Sequence, residues 1–331
     1  MNPSRAIGIL VPTHGSKPSA SPEQRPIGRA ALMLAEEGID VIFGDRLRNG
    51  HISGFRVRPG QWEAAVDVPL NGIHDRFPSQ LRSVRFNELM NERNGVPMAN
   101  PLAFTLWCRD KLTCQRDLED IGITMPAVTG DPDRFEASLA EWSHGFLKPR
   151  YGALGIGVHR ASLGDELPHH LEGVVPGRPD PAILQAAVEP PPGWASRTVR
   201  VLLQRTADGG WIQGCPVVRQ SRSDFVANAA QGAEVVSGAT ALTDSCRSMI
   251  HTAVAELADA FDQLPVARRM VEAGIDLALD PNLKPWIIEI NSRPRGRLEV
   301  LARSDPARFA KAHIEACARP IRVLAHGWSE D

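Results

Sequence analysis

The chain has 331 residues, 43% of them apolar and 23% charged, enough apolar mass for two or three packed lobes. A formal net charge of −2 at pH 7 excludes the basic excess of a general nucleic-acid binder, so no nucleic acid is expected as a partner. Five cysteines, Cys108, Cys114, Cys215, Cys246 and Cys317, are scattered without a C-x-x-C pair or zinc-like spacing, which suits a reducing, cytoplasmic setting.

Ala6 to Val11 predicts a strand, broken by Pro12 too soon to be a signal segment, and no other run approaches a membrane span, so no membrane contact is expected. A long loop, Pro12 to Pro26, leads to a helix from Ile27 to Glu37 that stops before Gly38, and a second strand follows at Ile39 to Phe43. This β-loop-α-β order predicts a parallel pair with a crossover helix. The stretch Thr13 to Pro22 lies at the carboxyl end of the first strand, where open α/β sheets bind ligands. Contact with substrate and a plain surface loop are both open readings there. Gly54 to Trp62 and Val66 to Phe77 predict short strands and turns that complete a lobe near Pro101.

Phe104 to Glu119 carries a helical pattern with Gly122 at its stop. Phe146 to Pro149 reads as a strand, followed by the glycine loop Tyr151 to Gly157 and another strand at Val158. Further strands are predicted at Ala182 to Val188, Thr198 to Arg205 and Trp211 to Val218. A long amphipathic helix then places Cys246, Met249, Ile250, Ala253, Val254, Leu257 and Phe261 on one stripe, which reads as core. Gly274 to Leu279 and Trp286 to Ile290 form strands joined by the turn Asp280-Pro281-Asn282, and Pro306 to Leu324 a helix expected on the outside of the last lobe. The fold class expected is α/β and α+β. An N-terminal α/β lobe (1–103) precedes a small lobe with the glycine-rich loop (104–181) and a C-terminal lobe with a metal site (182–331).

The segment Trp286 to Asn291 is the most informative. Strand alternation puts Glu289 and Asn291 on one face and the hairpin brings Asp276 near them, so three oxygen ligands can meet on one hard cation. Magnesium takes one or two carboxylates and completes its octahedron with water and substrate phosphates, so a ligand-poor site suits a nucleotide-bound ion; Mn²⁺ is compatible with the same donors. Glycines approach phosphates closely because they lack Cβ, which makes Tyr151, Gly152, Gly155 and Gly157 a candidate cradle. The spacing matches neither a P-loop nor a dinucleotide fingerprint, and a hairpin loop is the other reading. Lys148 just before the loop, and Lys111, are point charges suited to phosphate oxygens in a chain with few lysines and many arginines. Arg293, Arg295 and Arg297 fit either forked hydrogen bonds to an anionic co-substrate or a solvated basic rim. His14, His74 and His159 stand in no catalytic or metal context and read as structural or exposed.

In order and spacing, Arg109-Asp110-Lys111, Gly122-Ile123-Thr124-Met125-Pro126, Phe146-Leu147-Lys148-Pro149 with its loop, Gly274-Ile275-Asp276 and Glu289-Ile290-Asn291 resemble the ATP-grasp superfamily of ligases, with a glutathione synthetase-like fold. The resemblance runs from about Pro101 to the C-terminus, and the lobe before it resembles the family's pre-grasp domain. Ile73-His74-Asp75-Arg76-Phe77-Pro78, Arg200-Val201-Leu202-Leu203-Gln204 and Gly210-Trp211 are similar to the endospore-coat-associated branch. The resemblance implies that Lys111 and Lys148 hold ATP phosphates, that Gln185, Ala187 and Val188 offer backbone groups to adenine, and that Glu189 reaches the ribose. It also implies metal positions at Asp276, Glu289 and Asn291, with Arg200, Arg219 and Asn228 near the transferred phosphoryl group. Thr198, where an aspartate commonly stands, and Gln231-Gly232-Ala233, in place of a double glycine, depart from the pattern on the substrate side.

The activity implied is an ATP-dependent carboxylate-amine ligase that makes an amide through an acyl phosphate, releases ADP and phosphate, and uses magnesium. Its partners are small-molecule or peptide carboxylates and amines, and a homodimer is compatible. Two other readings share the same ATP contacts: a nucleotide-binding structural or assembly protein without turnover, and a small-molecule kinase.

Overall fold

The computed structural model describes residues 5–13, 16–77, 88–153, 155–173, 177–226, 233–294 and 298–327. Strands β1 (Arg5–Leu10), β2 (Ile39–Gly44), β3 (Leu47–Arg48), β4 (His51–Arg58), β5 (Gln61–Pro69), β6 (Gly72–Asp75) and β7 (Met98–Ala99) form the first sheet, ordered β3-β4-β2-β1-β6-β7 with β5 on β4. β1 runs parallel to β2 and β6, as the β-loop-α-β order predicts. The intervening helix Pro26–Glu36 begins on a proline, whose missing N–H has no partner to lose in a first turn. Its Ala30, Ala31 and Leu34 pack on Ile7, Ile9 and Phe43. Where short strands and turns were expected, β4 and β5 make one long antiparallel hairpin that turns at Gly60, held at φ +76°.

The second sheet consists of β8 (Val128–Thr129), β9 (His144–Pro149), β10 (His159–Ser162), β11 (His170–Glu172) and β12 (Pro179–Ala186), ordered β10-β9-β12-β11 with β8 on β12. Phe135 and Leu139 of the helix Phe135–Trp142 cover it through Leu147 and Leu184. Because β12 pairs with β9, the lobe boundary expected at residue 181 falls inside a strand of the small sheet. The strand also ends at Ala186, so Ala187 and Val188 follow it rather than belonging to it.

The third sheet is ordered β16-β15-β13-β17-β18 with β14 on β13; its strands are β13 (Ser196–Arg205), β14 (Trp211–Gln213), β15 (Val217–Ser221), β16 (Glu234–Ser237), β17 (Glu272–Leu279) and β18 (Pro285–Asn291). The single strand expected from Trp211 to Val218 is two, with Gly214 and Pro216 in the gap, where proline offers no N–H to a ladder. Alternation divides the faces of this sheet. Val199, Val201, Leu203, Ala273, Ile275, Leu277 and Leu279 bury against Ile250, Val254, Leu257 and Phe261 of the helix Asp244–Gln263, which Thr243 caps by accepting from the Cys246 N–H. Arg200, Gln204, Glu272, Gly274 and Asp276 fall on the opposite face.

Two expected placements change. The helix read from Phe104 to Glu119 breaks at Asp110 into Leu102–Arg109 and Lys111–Asp120, because the Asp110 side chain accepts from the Thr113 N–H and starts a new helix. Its Phe104, Trp107, Cys114 and Leu118 join the core of the third sheet, although sequence placed this segment in the small lobe. The C-terminal helix Pro306–His326 lies between lobes and not outside the last one. Its Ala318, Ile321 and Leu324 pack with Ile7 and Leu34 of the first lobe, while Phe309 and Ala316 meet Leu202 and Val217 of the third sheet. An amphipathic pattern shows that such a helix has an apolar face and does not show which lobe covers it.

Asn100, buried just after β7, joins the first sheet to the third. Its Nδ2 donates to the Glu272 carbonyl at 2.6 Å and to the Ser292 carbonyl, and its Oδ1 accepts from the N–H groups of Val271 (2.6 Å) and Glu272 (3.1 Å). Asn100→Ala strands four buried backbone groups and is expected to cost about 2–4 kcal/mol in urea unfolding. A loss below about 1 kcal/mol would show that this junction does not depend on the amide.

Candidate active site

A cleft of about 1850 Å³ opens between the second and third sheets and reaches the carboxyl end of β6 in the first. Lys111, Lys148, Tyr151, Gly152, Gly155, Gln185, Ala187, Val188, Glu189, Arg200, Arg219, Asp276, Glu289 and Asn291 all line it. Gly157 does not: a Cβ there would sit 2.7 Å from the Glu172 carbonyl oxygen, so packing against β11 accounts for that glycine. Asn228, Arg295, Arg297, His14 and Leu154 of the glycine loop lie outside the described residues.

Strand register builds the acidic centre. Arg200 on β13 stands directly opposite Asp276 on β17, which in turn stands opposite Glu289 on β18. The Asp276 carboxylate, 3% exposed, accepts from Arg200 Nε (2.5 Å) and Nη2, from Arg219 Nη2 (2.6 Å) and from Asn291 Nδ2 (3.0 Å). Burial alone would raise this carboxyl, but Arg200 and Arg219 outweigh it and hold it below the usual carboxylate range. Gly274, between these side chains, makes room for them: a Cβ would come within 3.1 Å of Arg200 Nη1 and 2.9 Å of Pro294.

Simple alternation does not fully describe β18. Asp276 pairs with Glu289 while Leu277 pairs with Ile287, so Ile288 is the extra residue of a bulge. Ile288 and Glu289 consequently both line the cleft, which regular pleating would forbid. Glu289 Oε1 lies 3.5 Å from Lys111 Nζ, and the same amine donates to the Gly152 carbonyl. Lys111 reaches this place because Asp110 caps its helix and takes a forked grip from Arg150 at the root of the glycine loop, with Nε to Oδ1 2.7 Å and Nη2 to Oδ2 2.6 Å.

Lys148 is held by a relay that sequence did not reveal. Its Nζ donates to Gln185 Oε1 (2.6 Å), Gln185 Nε2 donates to Gln115 Oε1 (2.8 Å), and Gln115 Nε2 donates to the Pro126 carbonyl (2.5 Å). Gln185 thus acts through its side chain besides any backbone contact. Burial brings the Lys148 ammonium down to about 8, with Glu289 opposing that fall and Lys111 assisting it. Glu189 accepts from Arg160 at 2.7 Å, and Arg150 lies over the Tyr151 ring with its guanidinium carbon 5.3 Å from the centroid. Arg293 lines the cleft and is too buried for a solvated rim. It donates to the carbonyls of Asp75 (2.6 Å) and Phe77 (2.9 Å) and pairs with the Asp75 carboxylate at 3.1 Å, tying the third sheet to the first.

No three His, Cys, Asp or Glu side chains gather as a metal cluster among the described residues. The oxygen donors at the centre are two carboxylates and one amide, a set that fits a magnesium ion arriving with phosphates. Asp276 is already engaged by guanidinium groups, so Glu289 and Asn291 are the more open ligands. Turning the Asn291 amide end for end would present its oxygen where its nitrogen now meets Asp276.

Residues 165–313 match the model of the YheC/D-like ATP-grasp family. No curated protein matches the chain in sequence. Among solved structures, D-alanyl-alanine synthetase A from Vibrio cholerae superposes with a TM-score of 0.59 at 13% identity, over 97% of this chain and 99% of that one. N5-carboxyaminoimidazole synthase from Aspergillus clavatus, in a complex with ADP, gives 0.58 at 14%, over 98% and 78% of the two chains. A D-cycloserine synthetase gives 0.57 at 14%, over 94% and 99%. Likeness at such identities speaks for the fold, which is that of these ATP-grasp ligases, and the family model matches the part of the chain from residue 165 to 313.

Proposed function

We propose that the chain is an ATP-dependent, ADP-forming carboxylate-amine ligase. The observation that carries this reading is the meeting of Lys111 and Lys148 with Asp276, Glu289 and Asn291 across one cleft, beside two arginines. Lys148, oriented by Gln185, and Lys111 would hold the phosphates of ATP, and the backbone at Ala187 and Val188 would meet adenine. Glu289 and Asn291, with Asp276 behind them, would hold magnesium or manganese, which when bound neutralises phosphate charge. Arg200 and Arg219, fixed by Asp276, would supply positive charge to the transferring γ-phosphoryl group.

The proposed reaction begins when a substrate carboxylate oxygen forms a bond to the γ-phosphorus while the bond to the bridging oxygen breaks, giving an acyl phosphate and ADP. An amine nitrogen then bonds to the acyl carbon, phosphate leaves, and the nitrogen gives its proton to water. Gly152, joined to Lys111 through its carbonyl, would lie near the phosphates, where exclusion of water would protect the acyl phosphate.

The lowered Lys148 value sets a pH dependence. The ammonium attracts phosphate and the neutral amine does not, so Mg-ADP affinity measured by calorimetry should fall as pH rises through about 8. Lys148→Met should bind at least about tenfold more weakly at neutral pH, a difference of roughly 1.4 kcal/mol, and lack that fall. A wild-type profile that stays flat across this range would remove Lys148 from the phosphate site.

With Mg-ATP, hydroxylamine and pooled amino acids or short peptides, the wild type should yield ADP and a hydroxamate. Glu289→Gln should keep its melting temperature and lose on the order of a hundredfold in rate. ADP without hydroxamate would favour phosphoryl transfer to another acceptor, and unchanged turnover in the variant would sink the metal assignment.

A further inference from the structure

The cleft is larger than the roughly 300–1,000 Å³ usual for one small-molecule pocket, and the centre described above takes up only part of it. Its far end is walled by Arg76 after β6, Glu299 on the helix Leu298–Ser304, and His313 and Cys317 on the helix Pro306–His326. The last two are four residues apart and so share a helix face. Glu299 makes no hydrogen bond or ion pair with any described residue, and His313 Nδ1 is buried without a partner. The only ion pair of Arg76 among the described residues is a long one, 3.5 Å to Glu272 Oε1, and its side chain is 37% exposed. Glu272 does not need that contact alone, since His74 Nε2 (3.2 Å) and Gln204 Nε2 (3.0 Å) also meet its carboxylate.

Polar groups in a walled cavity ordinarily find partners, and those that do not mark a place where something else supplies them. Here Glu299 and His313 Nδ1 have no partner among the described residues, Arg76 has only its long pair with Glu272, and Arg76 and Glu299 are not paired with each other. His313 lines the same cleft, and burial, assisted by Arg76 and Arg303, holds it below the ordinary imidazole range despite the opposing pull of Glu299. Burial pushes the Cys317 thiol up to about 11, so it stays protonated. A ligand bearing only one charge would leave the other wall residue without a counter-ion.

We infer that this end of the cleft is a subsite for a free α-amino acid, with its carboxylate at Arg76 and its ammonium at Glu299. The inference rests on the ligase reading for the role of that amino acid, as one of the two components joined. It deepens that reading by naming the class of one substrate. One cationic and one anionic side chain lining the same cleft would orient a zwitterion in one direction, and the imidazole and thiol beside them tolerate a side chain without adding a third charge.

The test is calorimetric titration of the full chain with each of the twenty common amino acids, with and without Mg-ADP. For any that binds, the matching deaminated acid and decarboxylated amine are titrated as well. At least one amino acid should bind saturably, and each analogue should bind at least about tenfold more weakly, roughly 1.4 kcal/mol. Glu299→Gln and Arg76→Gln should each lose at least about tenfold in amino-acid affinity while binding Mg-ADP as the wild type does. Using two variants guards against the case in which Arg76→Gln disturbs Glu272. Absence of binding by every amino acid, equal binding of either single-charge analogue, or wild-type affinity in both variants would overturn the inference. Amino-acid binding without hydroxamate formation would keep the subsite and remove the ligase reading, so the two fail separately.

Discussion

The buried carboxylate of Asp276 under two guanidinium groups is the interaction on which the rest of the site depends. Three charges are taken out of water there, an arrangement that holds only when each has its partner; removing one partner from such a group typically costs about 3–5 kcal/mol. Register makes the pairing possible, because Arg200 and Asp276 stand opposite each other on neighbouring antiparallel strands and Gly274 leaves room for the guanidinium. The carboxyl is held below its ordinary value, so the stability it contributes is present above that value and is lost as pH falls through the lowered one. With Asp276 spent on the arginines, Glu289 and Asn291 remain the more open oxygens, and Arg200 and Arg219 are held in place beside them.

A second constraint keeps the lobes in place around that centre. Asn100 bonds to four backbone groups of the third lobe, Arg293 reaches back to Asp75 and Phe77, and the C-terminal helix packs on both lobes. The Asn100 and Arg293 bonds each join residues separated by at least 170 positions in the chain. The cleft wall formed by Arg76, Glu299 and His313 exists only because these ties bring β6 beside the two last helices.

Local periodicity and short-range chemistry were legible in the sequence. The β17–β18 hairpin, the core stripe of the helix Asp244–Gln263, the strand carrying Lys148 and the parallel β1–β2 pair all follow from patterns within a few residues. What sequence missed depends on partners chosen across the fold. The bulge at Ile288 is a mismatch between two strands and leaves no mark on either alone. Gln115 lies four residues after Lys111, on the inner side of its helix, and its importance appears only when Gln185 arrives from β12. Arg293 was open between a grip on an anion and a solvated rim, and neither reading foresaw its bonds to carbonyls of the first lobe. Asp110 was the one miss with a local signal, since an aspartate three residues before a threonine N–H is a plausible cap inside an apparent helix.

A crystal structure of the protein with Mg-ADP tests the central claim most directly. The account predicts the diphosphate against Lys111 and Lys148, with the metal ion touching oxygens of Glu289 and Asn291 and Asp276 still gripped by Arg200. Nucleotide outside the cleft, or inside it with its phosphates away from both lysines and the ion clear of Glu289, would contradict it.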